Sequence, residues 1–158
     1  MRMSEAELMT DILIATLDGI QSKKSAEKFY AKYDEDFANR KEIEQKIKST
    51  MDLIGNLFGA NLKNTCFKSV PIFYGVFIAL YHMNYGIPNL ELPRKVIEAE
   101  DFSKIINTLD DINSIFEMEN LTKEQFEFVK STKDATTDGP ARTTRCKFIV
   151  NKLYESVN

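Results

Sequence analysis

The feature that most limits the possible folds is an apolar run from Val70 to Met83. Its centre, IFYGVFIALY, has no polar face at helical spacing, so a helix built from it must be surrounded by other elements. Ser69 is a candidate N-cap and Pro71 fits the first helical turn. The run is shorter than the roughly 20 apolar residues that a membrane span requires. We therefore predict a central buried helix from Pro71 to Tyr85.

Amphipathic patterns on both sides of this run predict further helices. The clearest lies between Asn39, a candidate cap, and Gly59, a candidate stop, and its apolar stripe is Ile43, Ile47, Met51, Ile54 and Phe58. Other helices are predicted from a Ser4–Glu7 capping box, between Arg94 and Phe116, from a Thr122 cap, and from Pro140 onward.

We find no convincing alternating strand pattern, internal repeat or second-domain linker. The 158 residues suit one domain, residues 1–158. The prediction is an all-α fold, a single multi-helix orthogonal bundle of about six to eight helices around the central apolar helix.

Charge and cysteine content limit the functional classes. The net charge of -3 and pI near 5.3 argue against a general nucleic-acid binder, although a local basic patch stays open. Cys66 and Cys146 stand far apart without a CxxC motif, which suggests buried thiols in a reducing compartment. The polar N-terminus is unlike a signal peptide, so we expect a cytoplasmic protein with no membrane partner.

Catalytic candidates are few. His82 is the single histidine, and a packed or capping role is favoured over a catalytic one. No nucleophile motif, phosphate-binding glycine loop or clustered metal ligands accompany it. The acidic groups at 34–36, 98–101 and 110–111 are interpreted as solvated faces. We predict no enzymatic activity of the chain on its own, no metal and no cofactor.

The last helix contains the least ordinary pattern. At helical spacing Arg142 lies in line with the buried stripe through Cys146, and Arg145 lies on its flank. Cations in the first turns oppose the helix dipole, so an inward arginine should have either an internal carboxylate or an external anion as partner. Thr137, in the preceding loop that we expect to be mobile, could add a phosphate-binding hydroxyl. The internal salt bridge is the favoured alternative.

Two other groups are candidate contact surfaces. Lys23 and Lys24 form a second basic cluster, interpreted as a solvated face or as a nucleic-acid contact. Tyr30, Tyr33 and Phe37 are candidates for an aromatic surface that a partner domain would cover.

Three segments together resemble one family, the GmrSD/SspE-type restriction proteins. They are RMSEAELMTDILIATLDGIQSKKSAEKFYAKYDEDF at 2–37, FKSVPIFYGVFIALYHMNYGIP at 67–88 and ATTDGPARTTRCKFIVNKL at 135–153. The resemblance rests on the order of the helices and on short patterns across nearly the whole chain. It implies the C-terminal helical part of a larger protein, following an N-terminal ParB-like domain with a DGQQR motif. That motif and any HNH nuclease motif are absent from this sequence, so no family catalytic residue carries over.

Three functional hypotheses follow. The leading one is a non-catalytic helical module of a modification-dependent phage-defence protein, which supports or relays the state of the ParB-like domain or of a separate partner protein. The alternative is a stand-alone nucleic-acid-binding module that contacts DNA through Lys23, Lys24, Arg142 and Arg145. The third, an enzyme centred on His82, requires a pocket in which polar partners converge on this residue.

Overall fold

The computed structural model describes residues 5–23, 26–33 and 39–158. Within these ranges the chain forms α-helices and no β-strand, which confirms the predicted all-α bundle. The seven helices are α1 (Glu5–Asp18), α2 (Ala26–Tyr33), α3 (Arg40–Phe58), α4 (Val70–Tyr85), α5 (Phe102–Ser114), α6 (Lys123–Ser131) and α7 (Gly139–Val157). No helix in the described part of the chain is long and apolar enough to cross a membrane. Ser4 of the predicted first cap lies outside the described residues.

Helix α4 is the centre of the bundle, as predicted. It packs against α1, α3 and α7, and its stretch from Val76 to Leu80 is fully buried. Pro71 occupies its first turn, where the missing N–H leaves no hydrogen bond unmade. Ser69 stands at the N-cap position, but its side chain makes no capping hydrogen bond. The Ser69 hydroxyl therefore lies beside the first turn of α4 without bonding to it.

Helix α7 makes the most extensive contact with α4. Gly75 allows this contact, because a Cβ atom at this position would lie 3.3 Å from Ile149 Cδ1 and 3.5 Å from Arg145 Cβ. The predicted inner stripe of α7 is buried, at Cys146, Ile149, Val150, Leu153 and Val157. The close approach brings the two arginines of α7 beside the first turns of α4.

The predicted helix between Arg94 and Phe116 is only partly correct. Residues 94–98 are not helical, a short 3₁₀ turn follows at Ala99–Asp101, and α5 begins at Phe102. Tertiary bonds hold the non-helical segment, since Asn84 Oδ1 accepts from the Ile97 N–H and Lys95 donates to the Val157 carbonyl. These bonds tie the segment to the ends of α4 and α7.

Gly19 ends α1 and lets it approach the loop after α4. Its φ of +87° lies in the left-handed region, and a Cβ here would be 2.6 Å from the Pro88 carbonyl oxygen. A larger side chain at this position would push α1 away from α4.

Helix α6 begins with the predicted Thr122 cap. The Thr122 hydroxyl accepts from the Gln125 N–H, and the Gln125 side chain accepts from the Thr122 N–H. Phe128 is fully buried and stacks on Phe148 with ring centroids 4.4 Å apart. Phe126, two residues earlier on the same helix, is 54% exposed.

Candidate functional site

The predicted basic residues and Thr137, where the structure describes them, converge on one cavity. Lys23, Thr137, Arg142 and Arg145 all line a pocket of about 500 Å³. The pocket opens between the start of α1, the loop before α7 and the first turn of α4. Lys24 lies outside the described residues. Arg142 thus contacts Gln21 and Asp11, which lie 121 and 131 positions away in the sequence, because α1 and α7 both pack against α4.

Arg142 has the internal carboxylate partner that the sequence favoured. Its Nη2 donates to Asp11 Oδ2 at 2.6 Å, and its Nη1 donates to the Gln21 carbonyl at 2.9 Å. The guanidinium also lies over the Tyr74 ring, 4.9 Å from the centroid. Arg142 and Asp11 are each only 4% exposed, so they form a buried ion pair between α7 and α1. This pair is largely shielded from solvent.

Arg145 is buried more deeply than predicted, at 1% exposure. Its two terminal nitrogens donate to the carbonyls of Ser131 and Thr136. None of the ion pairs among the described residues includes Arg145. Burial lowers the pKa of its guanidinium, and the neighbouring positive charge of Arg142 lowers it further. Arg145 is therefore a buried cation held by backbone carbonyls.

The loop before α7, expected to be mobile, is tied down at several points. The Lys23 N–H donates to the Thr137 carbonyl at 3.1 Å, and the Gly139 N–H donates to Ser22 Oγ at 2.8 Å. Arg145 binds the Thr136 carbonyl from the interior side. The segment after α1 and the loop before α7 consequently form one hydrogen-bonded unit beside the pocket.

Three important residues of this site were missed from the sequence. Asp11 could have been found, since it lies three positions after Leu8 and four before Ala15 on the inner side of α1. Tyr74 was assigned only to the apolar run, where nothing distinguishes its hydroxyl. Lys68 lies just before α4 and lines the pocket as an exposed cation. No pattern around Lys68 in the sequence predicts that it lines the pocket.

The pocket has an excess of positive charge. Lys23, Lys68, Arg142 and Arg145 line it, and Glu7 is the acidic residue among the lining side chains. Glu7 lies 3.5 Å from the ammonium group of Lys23, and both side chains are partly exposed at the rim. In the interior, Asp11 forms its ion pair with Arg142. The charge of Arg145 is thus left without a carboxylate among the described residues.

Two buried polar atoms beside the pocket have no hydrogen-bond partner among the described residues. They are the Tyr74 hydroxyl and the Nε of Arg145, and both side chains line the cavity. Burial also raises the pKa of the Tyr74 hydroxyl, so it remains a protonated donor. A buried donor without a partner costs about 1–3 kcal/mol. Buried polar groups in folded proteins usually have a partner, and an ordered water or a bound ion is one group that can supply it.

The predicted aromatic surface is partly present. Tyr30 on α2 is 56% exposed, and its hydroxyl lies 3.1 Å from Thr10 Oγ1 of α1. Tyr33 is half-buried and donates to Asp18 at 2.8 Å. Both rings contact Phe29, which is buried against the bundle. Phe37 lies outside the described residues.

The interpretation of the acidic group 98–101 as a solvated face is wrong for Asp101. This carboxylate is buried, accepts from the Glu98 N–H at 3.1 Å and pairs with Lys95 at 3.2 Å. The Glu98 N–H lowers the pKa of Asp101, and Lys95 lowers it further. Asp101 is therefore an ionised capping group. Asp110 and Asp111 are exposed as expected, and residues 34–36 lie outside the described ranges.

His82 is a packed histidine near the end of α4. Its Nδ1 accepts from the Ile87 N–H at 3.1 Å, and its Nε2 lies 3.2 Å from the Leu92 carbonyl. This arrangement requires a neutral ring with the proton on Nε2. Burial lowers the pKa of His82 below its ordinary value of 6.5, and the charge of Arg94 lowers it further. Both ring nitrogens thus fix the loop after α4.

The His82 geometry predicts a pH-dependent stability. The unfolded chain takes up a proton near pH 6.5, whereas the folded chain resists it until lower pH. The stabilisation by neutral His82 is therefore complete above pH 6.5 and is lost as the pH falls below this value. Urea unfolding at about pH 7.5 and about pH 5.5 should show a lower free energy at the acidic pH. In His82→Gln the difference should shrink, and an undiminished difference would contradict this assignment.

Both cysteines are free thiols, and Cys146 is buried as predicted, whereas Cys66 is half-buried. Burial raises the pKa of each thiol to about 12. In the described part of the chain, no group of three or more His, Cys, Asp or Glu side chains is placed to hold a metal ion.

Comparisons of the chain with protein-family models, with curated proteins and with solved structures returned no match. The resemblance to the GmrSD/SspE-type proteins therefore stays a prediction.

Proposed function

We propose that this chain is a non-catalytic helical module that supports a partner and relays its state. The partner is an N-terminal ParB-like domain, as the resemblance implies, or a separate partner protein. The observation that supports the proposal is that α1 is bonded to the last helix, α7. The neighbouring helix α2 presents an exposed aromatic side chain, Tyr30.

The linkage consists of one buried ion pair and several backbone contacts. Asp11 of α1 binds Arg142 of α7, and the segment after α1 binds the loop before α7 through Lys23 and Ser22. Arg142 also holds the Gln21 carbonyl. These bonds join α1 and the segment after it to α7 and the loop before it. A displacement of α1 would therefore also displace the start of α7.

The proposed contact surface lies on α2, which packs on α1. Tyr30 exposes more than half of its surface there, and Met9 on α1 is also exposed, at 38%. Tyrosine and methionine are enriched in protein interfaces, since both combine a large apolar surface with adaptable contacts. A partner bound at Tyr30 would contact α2, and the Tyr30 hydroxyl bonds to Thr10 of α1, the helix that carries Asp11.

The test takes the ParB-like domain encoded in the same genome and measures its affinity for this chain by calorimetry. Tyr30→Ser should weaken the complex about tenfold or more, the usual effect of removing an interface aromatic. Lys28→Ser, at an exposed position on the same helix, is the matched control and should change the affinity by about twofold or less. Equal affinity for the wild type and Tyr30→Ser, or no complex at all, would contradict the proposal.

The alternative of a stand-alone nucleic-acid-binding module is less well supported by the geometry. Arg142 and Arg145 are almost fully buried and their terminal nitrogens are bonded within the domain. Lys23 and Lys68 are the exposed cations of the pocket. Two lysines provide few phosphate contacts compared with the roughly 6–10 of a typical DNA-binding surface.

A further inference from the structure

We propose that the pocket between α1, α4 and α7 binds a phosphate dianion, either free phosphate or the terminal phosphate of a small ester. Tyr30 does not line this pocket, so the site requires nothing of the partner-facing surface. Four observations, taken in turn below, favour an anion of this chemistry.

The first observation is the uncompensated charge of Arg145. This guanidinium is 1% exposed, and its ionic neighbour Arg142 already uses Asp11. An isolated buried cation is strongly destabilising, so backbone carbonyls alone leave Arg145 poorly compensated. An anion bound in the adjoining cavity would supply the missing negative charge.

The second observation is the pair of unused donors. The Tyr74 hydroxyl and Arg145 Nε–H are both buried without an acceptor among the described residues. They belong to side chains that line the same cavity. Both groups are donors, since Arg145 has no lone pair and burial keeps Tyr74 protonated, so an acceptor that reached them from the cavity would satisfy them. A phosphate offers several acceptor oxygens at once.

The third observation is the orientation of α4. Lys68, Ser69, Val70 and Pro71 line the pocket where this 16-residue helix begins. The positive end of the helix dipole and the uncapped Ser69 hydroxyl therefore lie at the cavity. Anions bind readily at such helix starts, and Lys68 adds a mobile cation from the rim.

The fourth observation concerns size and balance of charge. A cavity of about 500 Å³ is within the roughly 300–1,000 Å³ of small-molecule sites and exceeds the volume of phosphate alone. Val70, Pro71 and the Tyr74 ring provide an apolar wall for an organic group. Glu7 is the opposing charge at the rim, and its pairing with Lys23 reduces its repulsion of an incoming anion.

Calorimetric titration of the full chain with inorganic phosphate and with ribose 5-phosphate tests the proposal. Ionic strength is held constant with potassium chloride, so that general screening is matched. Saturable binding of either ligand is the expected result. If inorganic phosphate binds more tightly than ribose 5-phosphate, the ligand is the free ion. If ribose 5-phosphate binds more tightly, the ligand is a phosphate ester.

Matched variants assign the binding to this pocket. Tyr74→Phe removes only the hydroxyl and keeps the ring beside Arg142, and it should weaken binding about tenfold. It should not destabilise the free protein, because the hydroxyl has no partner there. Lys68→Gln should weaken binding about threefold, whereas Lys48→Gln, an exposed lysine on α3, should have no effect. Absence of binding by both ligands, or equal binding by wild type, Tyr74→Phe and Lys68→Gln, would overturn the proposal.

Discussion

Replacing Asp11 with alanine is expected to lower the free energy of unfolding by about 3–5 kcal/mol. The carboxylate forms a 2.6 Å ion pair with Arg142, and both groups are 4% exposed. Its removal leaves the buried Arg142 without a carboxylate partner, and the positive charge of Arg145 is close enough to Arg142 to interact with it. Urea unfolding at neutral pH, followed by circular dichroism, measures the change.

Two further variants separate the burial of this pair from the general effect of an ion pair. Glu44→Ala removes the acid of the exposed pair with Arg40 and should change stability by about 0.5 kcal/mol or less. The double variant Asp11→Leu/Arg142→Met replaces the buried charges with apolar side chains and should recover part of the loss. A loss of less than about 1 kcal/mol in Asp11→Ala would show that the pair does not link α1 to α7 as described.

Replacing Phe128 with alanine is expected to cost about 3–5 kcal/mol, the range for a large buried aromatic. Its ring stacks on Phe148 of α7 and meets Phe116 edge-on at 5.8 Å, so it fixes α6 to the rest of the bundle. The matched control is Phe126→Ala on the same helix, where the side chain is 54% exposed. This control should change stability by about 0.5 kcal/mol or less in the same urea experiment. Equal losses in the two variants would contradict the assigned orientation of α6.

Elements with strong local signals could be predicted from the sequence. The fully apolar run identified α4 as the central helix, and Thr122 with Gln125 identified the start of α6. The alignment of Arg142 with Cys146 correctly indicated an inward arginine. In each case the information lies within a few helical turns, which is the range over which side-chain periodicity and capping act.

Features that depend on distant contacts were missed or misplaced. Residues 94–98 have a helical pattern, but their bonds to Asn84 and Val157 hold them in a non-helical conformation. The inward position of Asp11 could be predicted from the pattern of α1, but its pairing with Arg142 could not, because 131 positions separate the two residues. The depth of Arg145 was also underestimated, since it follows from the close approach of α4 and α7 at Gly75.

The two arginines of α7 thus have different roles in one small region. Arg142 has its acid and joins α1 to α7, whereas Arg145 holds two carbonyls of the preceding loop and lacks an acid among the described residues. The first is a structural link that the proposed relay requires. The second gives the adjoining cavity its excess positive charge.

The most direct test of this account follows the Nε–H signal of Arg145 by ¹⁵N–¹H NMR during a titration with inorganic phosphate at constant ionic strength. The account predicts a saturable shift of this signal, with Tyr74→Phe requiring more phosphate to reach the same change. The Nε–H of Arg40, which donates to Glu44 on the exposed surface, serves as the internal reference and should stay unchanged. An Arg145 signal that does not move, or that moves only in parallel with that of Arg40, would contradict a phosphate site in this pocket.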